Sequence, residues 1–112
     1  MVAASVIAAM FLAACSGSEM FQGTELNPSR SAPLFSLQNQ FNEQIALTDY
    51  NGKAILLTFL YTSCSDICPV VASQLRETHE MLGDDADDVA FLVISVDPDG
   101  DSIEQAYAFS EK

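Results

Sequence analysis

The sequence predicts an α/β fold, and three observations predict it. Two short, nearly continuous apolar runs occupy residues 54–61 and 89–96, an apolar stripe at helical spacing lies between them, and turn residues mark each junction. Ahead of the first run, Phe35-Ser36-Leu37 and Ile45-Ala46-Leu47 alternate apolar and polar residues around a polar segment, the pattern of a short hairpin. Asn51-Gly52 then marks a turn. The run Ala-Ile-Leu-Leu-Thr-Phe-Leu-Tyr from Ala54 is too short for a typical helix and partly β-branched or aromatic, so it reads as a buried strand that delivers the chain to Cys64.

Pro69 suits the first position of a helix, where its missing N–H costs nothing. Val71, Leu75, Thr78 and Leu82 recur at helical spacing and Gly83 follows, which predicts a helix over residues 69–82. The run 89–96 is a second buried strand, and strand, helix and strand in this order imply a right-handed parallel crossover. Ser102 and Gln105 have the spacing of a capping box, opening a helix whose Ile103, Ala106 and Tyr107 face inward. The expected architecture is an incomplete α/β domain: a hairpin, a β-α-β unit and the start of a further helix. There are 112 residues in all, and a sheet with flanking helices built from the part after residue 33 buries little surface.

The first residues read as an address. From Val2 to Ala14 the chain is almost wholly apolar, a length suited to the core of a signal peptide and short of the roughly 20 residues of a spanning helix. Leu12-Ala13-Ala14-Cys15 resembles the bacterial lipobox, which implies residues 1–14 as a lipoprotein signal peptide and Cys15 as the lipidated first residue of the mature protein. No Lys or Arg precedes the apolar run, a departure from the usual positive start. Residues 15–33, rich in Ser, Gly, Asn and Pro, read as a flexible tether, leaving 34–112 as the domain. An exported, lipid-anchored protein faces an oxidising compartment, the periplasm or the cell exterior, where a cysteine pair is free to form a disulfide.

Sixteen acidic residues against four basic ones give a formal charge of -12, which disfavours nucleic acid as a partner. The acidic runs Asp84 to Asp88 and Asp97 to Asp101 read as solvated loops, the second capping the last helix. It is no calcium loop, because Ser102 and Ala108 stand where the turn glycine and the bidentate glutamate would be.

With Cys15 set apart, Cys64 and Cys68 form a pair. A thiolate at a helix N-terminus gains from the dipole and from unpaired backbone N–H groups, which makes it a better nucleophile or soft-metal ligand. Cys68-Pro69 sits at such an end, and Cys64 lies in the turn before it. The arrangement suits either a disulfide or two thiolates on one metal ion. A structural zinc site needs four ligands. The single histidine, His79, is eleven residues beyond Cys68 on the same predicted helix, about 16 Å away at 1.5 Å per residue. It reads as a solvent-facing residue near the helix C-terminus.

The segment Phe59-Leu60-Tyr61-Thr62-Ser63-Cys64-Ser65-Asp66-Ile67-Cys68-Pro69 resembles the copper motif of Sco/SenC proteins, roughly F-x-Y-T-x-C-P-D-x-C-P. Ile94-Ser95-Val96-Asp97-Pro98 with Asp101 and Ser102 resembles that family's S-V-D-P-x-x-D-T segment, and Gly52-Lys53 also fits. Ser65 and Ser102 replace the usual Pro and Thr. The resemblance implies a thioredoxin-like fold and Cu(I) held by Cys64 and Cys68. It also implies a role in assembling the copper centre of cytochrome c oxidase, as a chaperone to its copper subunit or as a thiol reductant of that centre's cysteines. In the family a later histidine completes the copper site, and that third ligand is absent from this chain.

The alternatives are a thiol-disulfide oxidoreductase, a peroxiredoxin-like enzyme and a non-functional fragment. The first would ordinarily carry C-x-x-C, whereas Cys64 to Cys68 is C-x-x-x-C. The second would carry Thr and Pro where Ser65 and Tyr61 stand.

Overall fold

The computed structural model describes residues 22–111. The apolar run 2–14 and Cys15 lie outside the described residues. Residues 22–32 contain neither helix nor strand. Residues 33–112 form a separate compact unit that carries all the regular structure described here. Among the described residues no helix is long and apolar enough to cross a membrane.

The predicted hairpin is present as β1 (Ser36–Gln38) and β2 (Gln44–Ala46), antiparallel with Leu37 opposite Ile45. Asn39 makes its turn: the side-chain Oδ1 accepts from the N–H groups of Phe41 and Glu43, both at 2.9 Å. A single turn of 3-10 helix (Leu47–Tyr50) and Gly52, at φ 90°, lead into β3 (Ala54–Leu60). Helix α1 (Ile67–Leu82) follows and ends at Gly83, at φ 54°. A second 3-10 segment (Gly83–Asp88) then leads to β4 (Val89–Ser95), and α2 (Ile103–Ser110) closes the described chain.

β3 and β4 pair in parallel, from Ala54 opposite Val89 to Leu60 opposite Ser95. Parallel neighbours cannot be joined by a tight turn, and α1 supplies the crossover. Side chains alternate between the faces of a strand, so Leu56, Thr58 and Leu60 share the face that meets α1. Val71 of α1 packs against the cluster that Leu60 forms with Cys64 and Cys68, and Phe91, the partner of Leu56, meets His79 edge-on with ring centroids 5.5 Å apart. His79 is therefore exposed but not purely solvent-facing: its ring leans on the sheet.

The expectation that the 54–61 run is a buried strand is met on one face only. Ile55, Leu57 and Phe59 line the face away from α1 and remain 40%, 38% and 58% exposed. The cause is architectural, since one helix covers only one side of a two-stranded sheet.

Two helix details also differ. α1 begins at Ile67, two residues before the predicted start, which puts Pro69 at the third helical position. The first four N–H groups of a helix have no partner inside it, so proline is tolerated there as well. In α2, Ile103 and Ala106 are half-buried, whereas Tyr107 is 44% exposed and meets Phe41 at 5.9 Å; Phe109 is the residue that reaches the core. The capping box is formed: Gln105 N–H donates to Ser102 Oγ at 3.2 Å, and Ser102 N–H donates to Gln105 Oε1 at 2.8 Å.

The most buried cluster is Leu60, Cys64 and Cys68, with Val71 and Phe109 packed against it. The core of the unit and the cysteine pair are thus the same place.

Candidate metal and redox site

β3 buries Leu60 as its last residue and releases the chain into the turn that carries Cys64. The sheet continues one step past the strand ends, with Val96 N–H donating to Leu60 C=O at 3.0 Å. Cys64 N–H then donates to Tyr61 C=O at 3.2 Å and closes the turn. Cys64 and Cys68 are joined by a disulfide with Cα atoms 5.7 Å apart, within the ordinary range for such a bond. Both are buried, Cys68 at 2% exposure and Cys64 at 8%.

The start of α1 is unusual in its cap. Asp66 occupies the N-cap position at φ -109°, ψ -86°, and its carboxylate accepts no capping hydrogen bond. Instead Cys68 N–H donates to Cys64 Sγ at 3.3 Å, so a sulfur takes one of the orphan donors of the first turn. The same N–H would favour the thiolate of Cys64 once the disulfide is reduced. The sequence places the helix-terminus effect on Cys68; the geometry extends it to Cys64.

The residue that sequence reading missed is Asp101. Its carboxylate does not cap α2. It reaches back 39 positions to Thr62, accepting from the Thr62 N–H at 3.1 Å (Oδ1) and 3.0 Å (Oδ2) and from the Thr62 hydroxyl at 2.6 Å. It also accepts from Ser95 Oγ at 2.6 Å. The hydrogen bonds from Ser95 and Thr62 hold the Asp101 carboxyl below the usual carboxylate range, against the smaller opposing effect of desolvation. Asp97 shapes the loop locally: its N–H donates to Ser95 Oγ at 3.1 Å and its Oδ1 accepts from Gly100 N–H at 3.1 Å. The one signal available beforehand was the motif spacing of Asp97 and Asp101, which carries no information about the partner 39 residues away.

An open groove of about 200 Å³ runs beside the turn, lined by Thr62, Ser63, Gln105, Ala108 and Phe109. Among the described residues, no three His, Cys, Asp or Glu side chains are gathered as a metal site. His79 lies far along α1 from the sulfurs, against Phe91. Two sulfurs on one turn, soft once reduced to thiolates, are a donor set suited to Cu(I).

A family model described as SCO1/SenC matches residues 23–112. The chain belongs to the SCO1/SenC family. It is 29% identical over 103 residues to the SCO1 protein homolog of Bacillus subtilis, covering 90% of this chain and 50% of that one. Among solved structures it is similar to Bradyrhizobium japonicum ScoI with copper bound, at TM-score 0.67 and 32% identity, covering 70% of this chain and 50% of the other. A further likeness is to BsSco, a member of the Sco family of cytochrome c oxidase assembly proteins in which a disulfide switch is identified. There the TM-score is 0.63 and the identity 29%, over 71% of this chain and 47% of the other. This Sco chain therefore has the thioredoxin-like α/β fold in part, and it spans about half the length of the relatives it matches.

Proposed function

We propose that this Sco chain is an exported, membrane-anchored copper carrier whose reduced Cys64–Cys68 pair takes up Cu(I) for the copper centre of cytochrome c oxidase. The observation that carries the reading is the buried sulfur pair at the start of α1, with Cys68 N–H directed at Cys64 Sγ. Copper is the cargo. The disulfide form must first accept two electrons from an external dithiol: one donor thiolate attacks a sulfur of the pair, and the S–S bond breaks. The donor's second thiol resolves the mixed disulfide, leaving Cys64 and Cys68 as thiols and the donor as a disulfide. Cu(I) binding then displaces the two thiol protons and releases them to solvent. Residue roles in this reading are narrow. Cys64 and Cys68 supply sulfur, the Cys68 N–H stabilises charge on Cys64, and the packing of Leu60, Val71 and Phe109 limits water at the pair.

Titration of the reduced protein with Cu(I) against a competing chelator tests this. Binding should be measurable in the wild type and lost in Cys64→Ser and in Cys68→Ser, with Cu(II) binding much weaker than a full-length relative shows, because the single histidine, His79, lies far along α1 from the sulfurs. Absence of Cu(I) binding in the wild type would reject the carrier reading.

The disulfide itself favours a second reading, that of a thiol reductant acting on the cysteines of the oxidase copper subunit. In that case the reduced pair passes two electrons to a disulfide peptide from that subunit in the absence of copper. A chain that neither binds Cu(I) nor reduces the peptide is a non-functional fragment. The anchor is tested separately, by mass spectrometry of membrane-extracted protein for a lipid on Cys15; finding residues 1–14 still attached would reject it.

A further inference from the structure

Three hydroxyl or amide donors from two separate stretches of chain converge on one carboxylate next to the cysteine turn. Asp101 opens the segment leading into α2, yet it spends its hydrogen bonds on Thr62, two residues before Cys64, and on Ser95 at the end of β4. Apart from that contact and the disulfide, the turn from Tyr61 to Asp66 is held by the Cys64 N–H bond to Tyr61 C=O and by Cys68 N–H on Cys64 Sγ. Cys64 thus hangs from a backbone point fixed at Thr62 on one side and from α1 on the other.

We infer that Asp101 is a positioning residue for the cysteine pair: by fixing Thr62 it holds Cys64 within reach of Cys68, and so sets both the dithiol–disulfide equilibrium and the affinity for Cu(I). This rests on the proposed copper and redox role of the pair and adds a residue to it. The physical basis is entropic. Closing two sulfurs on each other, or on one metal ion, requires ordering the turn between them, and a turn already pinned at Thr62 has less freedom left to lose.

The sign of the copper effect separates positioning from charge. If Asp101 acted only as a nearby negative charge, removing it would favour the thiolates and strengthen Cu(I) binding. If it acts by positioning, removing it weakens Cu(I) binding and at the same time shifts the pair toward the dithiol.

The experiment uses the full chain. Glutathione buffers give the equilibrium constant for the pair: the protein disulfide and two glutathione thiols exchange with the protein dithiol and one glutathione disulfide. Chelator competition gives the Cu(I) affinity. For Asp101→Ala the equilibrium should move toward the dithiol by about tenfold, ~30 mV, and Cu(I) affinity should fall by a similar factor. Thr62→Val keeps the backbone donor and loses the hydroxyl, so it should move both quantities the same way by a smaller factor. Thr62→Ser, which restores the hydroxyl, should return them to wild-type values. Ser102→Ala removes the cap of α2 in the same loop; it should lower thermal stability while leaving both readouts unchanged.

The inference is overturned if folded Asp101→Ala and Thr62→Val keep the wild-type equilibrium within twofold, if Cu(I) binds more tightly, or if Ser102→Ala moves the readouts as far. Should Asp101→Ala fail to fold, Thr62→Val and Thr62→Ser decide the matter. Failure of the copper reading shows differently, as a wild-type protein that binds no Cu(I) in excess of Cys64→Ser, while the glutathione equilibrium still tests Asp101.

Discussion

The two helices among the described residues of this Sco chain start in opposite ways. α2 opens with a reciprocal side-chain cap, Ser102 in extended backbone at φ -79°, ψ 166° and Gln105 bonding back to it. α1 opens with an aspartate whose carboxylate caps nothing, and a sulfur accepts the N–H that a cap would have taken. The first arrangement is a device for stability alone. The second leaves the Cys68 N–H turned toward Cys64 Sγ, so that in the proposed function the helix end serves the sulfur pair. The difference teaches that a missing side-chain cap can mark a helix start whose donor is used by another group.

The largest effect that sharpens this contrast comes from the sulfurs. Closing a loop of this size removes on the order of 2 kcal/mol of unfolded-state freedom, so either Cys64→Ala or Cys68→Ala should lower unfolding free energy by about that much relative to the oxidised wild type. Cys64→Ala should cost more, because it also removes the sulfur that accepts the Cys68 N–H; the excess should be about 1 kcal/mol, the usual value of a cap. Denaturant unfolding of the two variants measures it. Equal losses would mean that the sulfur contributes nothing as a cap.

Next in size is the ordinary cap. Ser102→Ala should cost about 1 kcal/mol and Gln105→Ala a few tenths, read by the same unfolding experiment. A loss in Ser102→Ala below that of Gln105→Ala would show that the carboxylates of the loop, not the hydroxyl, start α2.

What could be read from residues alone divides along the same line between local and distant causes. Both strands of the β-α-β unit, the end of α1 at Gly83 and the capping box of α2 are local signals, a run of apolar residues or a fixed short spacing, and all four are where the sequence predicts them. The motif around Cys64 and Cys68 likewise identifies the family. Contacts across the fold were not legible. Asp101 sits in an acidic run, as do Asp84 to Asp88, yet Asp101 crosses 39 residues to Thr62 while the earlier run forms an exposed 3-10 segment. Nothing in an acidic run says which member finds a donor. Phe109 in the core, His79 on Phe91 and the uncovered face of Ile55, Leu57 and Phe59 are of the same kind, set by which elements meet.

A smaller, pH-dependent effect tests the Asp101 clamp. Hydrogen bonds from Ser95 and Thr62 lower the Asp101 carboxyl below its ordinary value of 3.8. A depressed folded value means that the carboxylate contributes stability fully above the unfolded value and loses it as pH falls through the folded one. The stability gap between wild type and Asp101→Asn should therefore be constant from about pH 7 to pH 5 and close progressively below about pH 4. Glu104, lowered by its own backbone N–H at the start of α2 and by Ser102, follows the same sign. A gap that closes near neutral pH would place the effect on some other group.

The smallest expected effect is the most direct test of the missing cap. In a helix of the α2 kind, replacing the N-cap residue by alanine costs about 1 kcal/mol, because an N–H of the first turn loses its acceptor. At α1 the backbone of Asp66, at ψ -86°, is far from the extended conformation that aims a capping side chain, and its carboxylate accepts no such bond. What Asp66→Ala removes is a negative charge near the positive end of the helix dipole, an exposed and screened interaction. Its cost should stay within about 0.5 kcal/mol, below that of Ser102→Ala, and the change should shrink further in high salt. A loss of about 1 kcal/mol that persists in salt would mean that Asp66 caps α1 in solution. The Cys68 N–H would then not be turned to sulfur, and the contrast between the two helix starts would disappear.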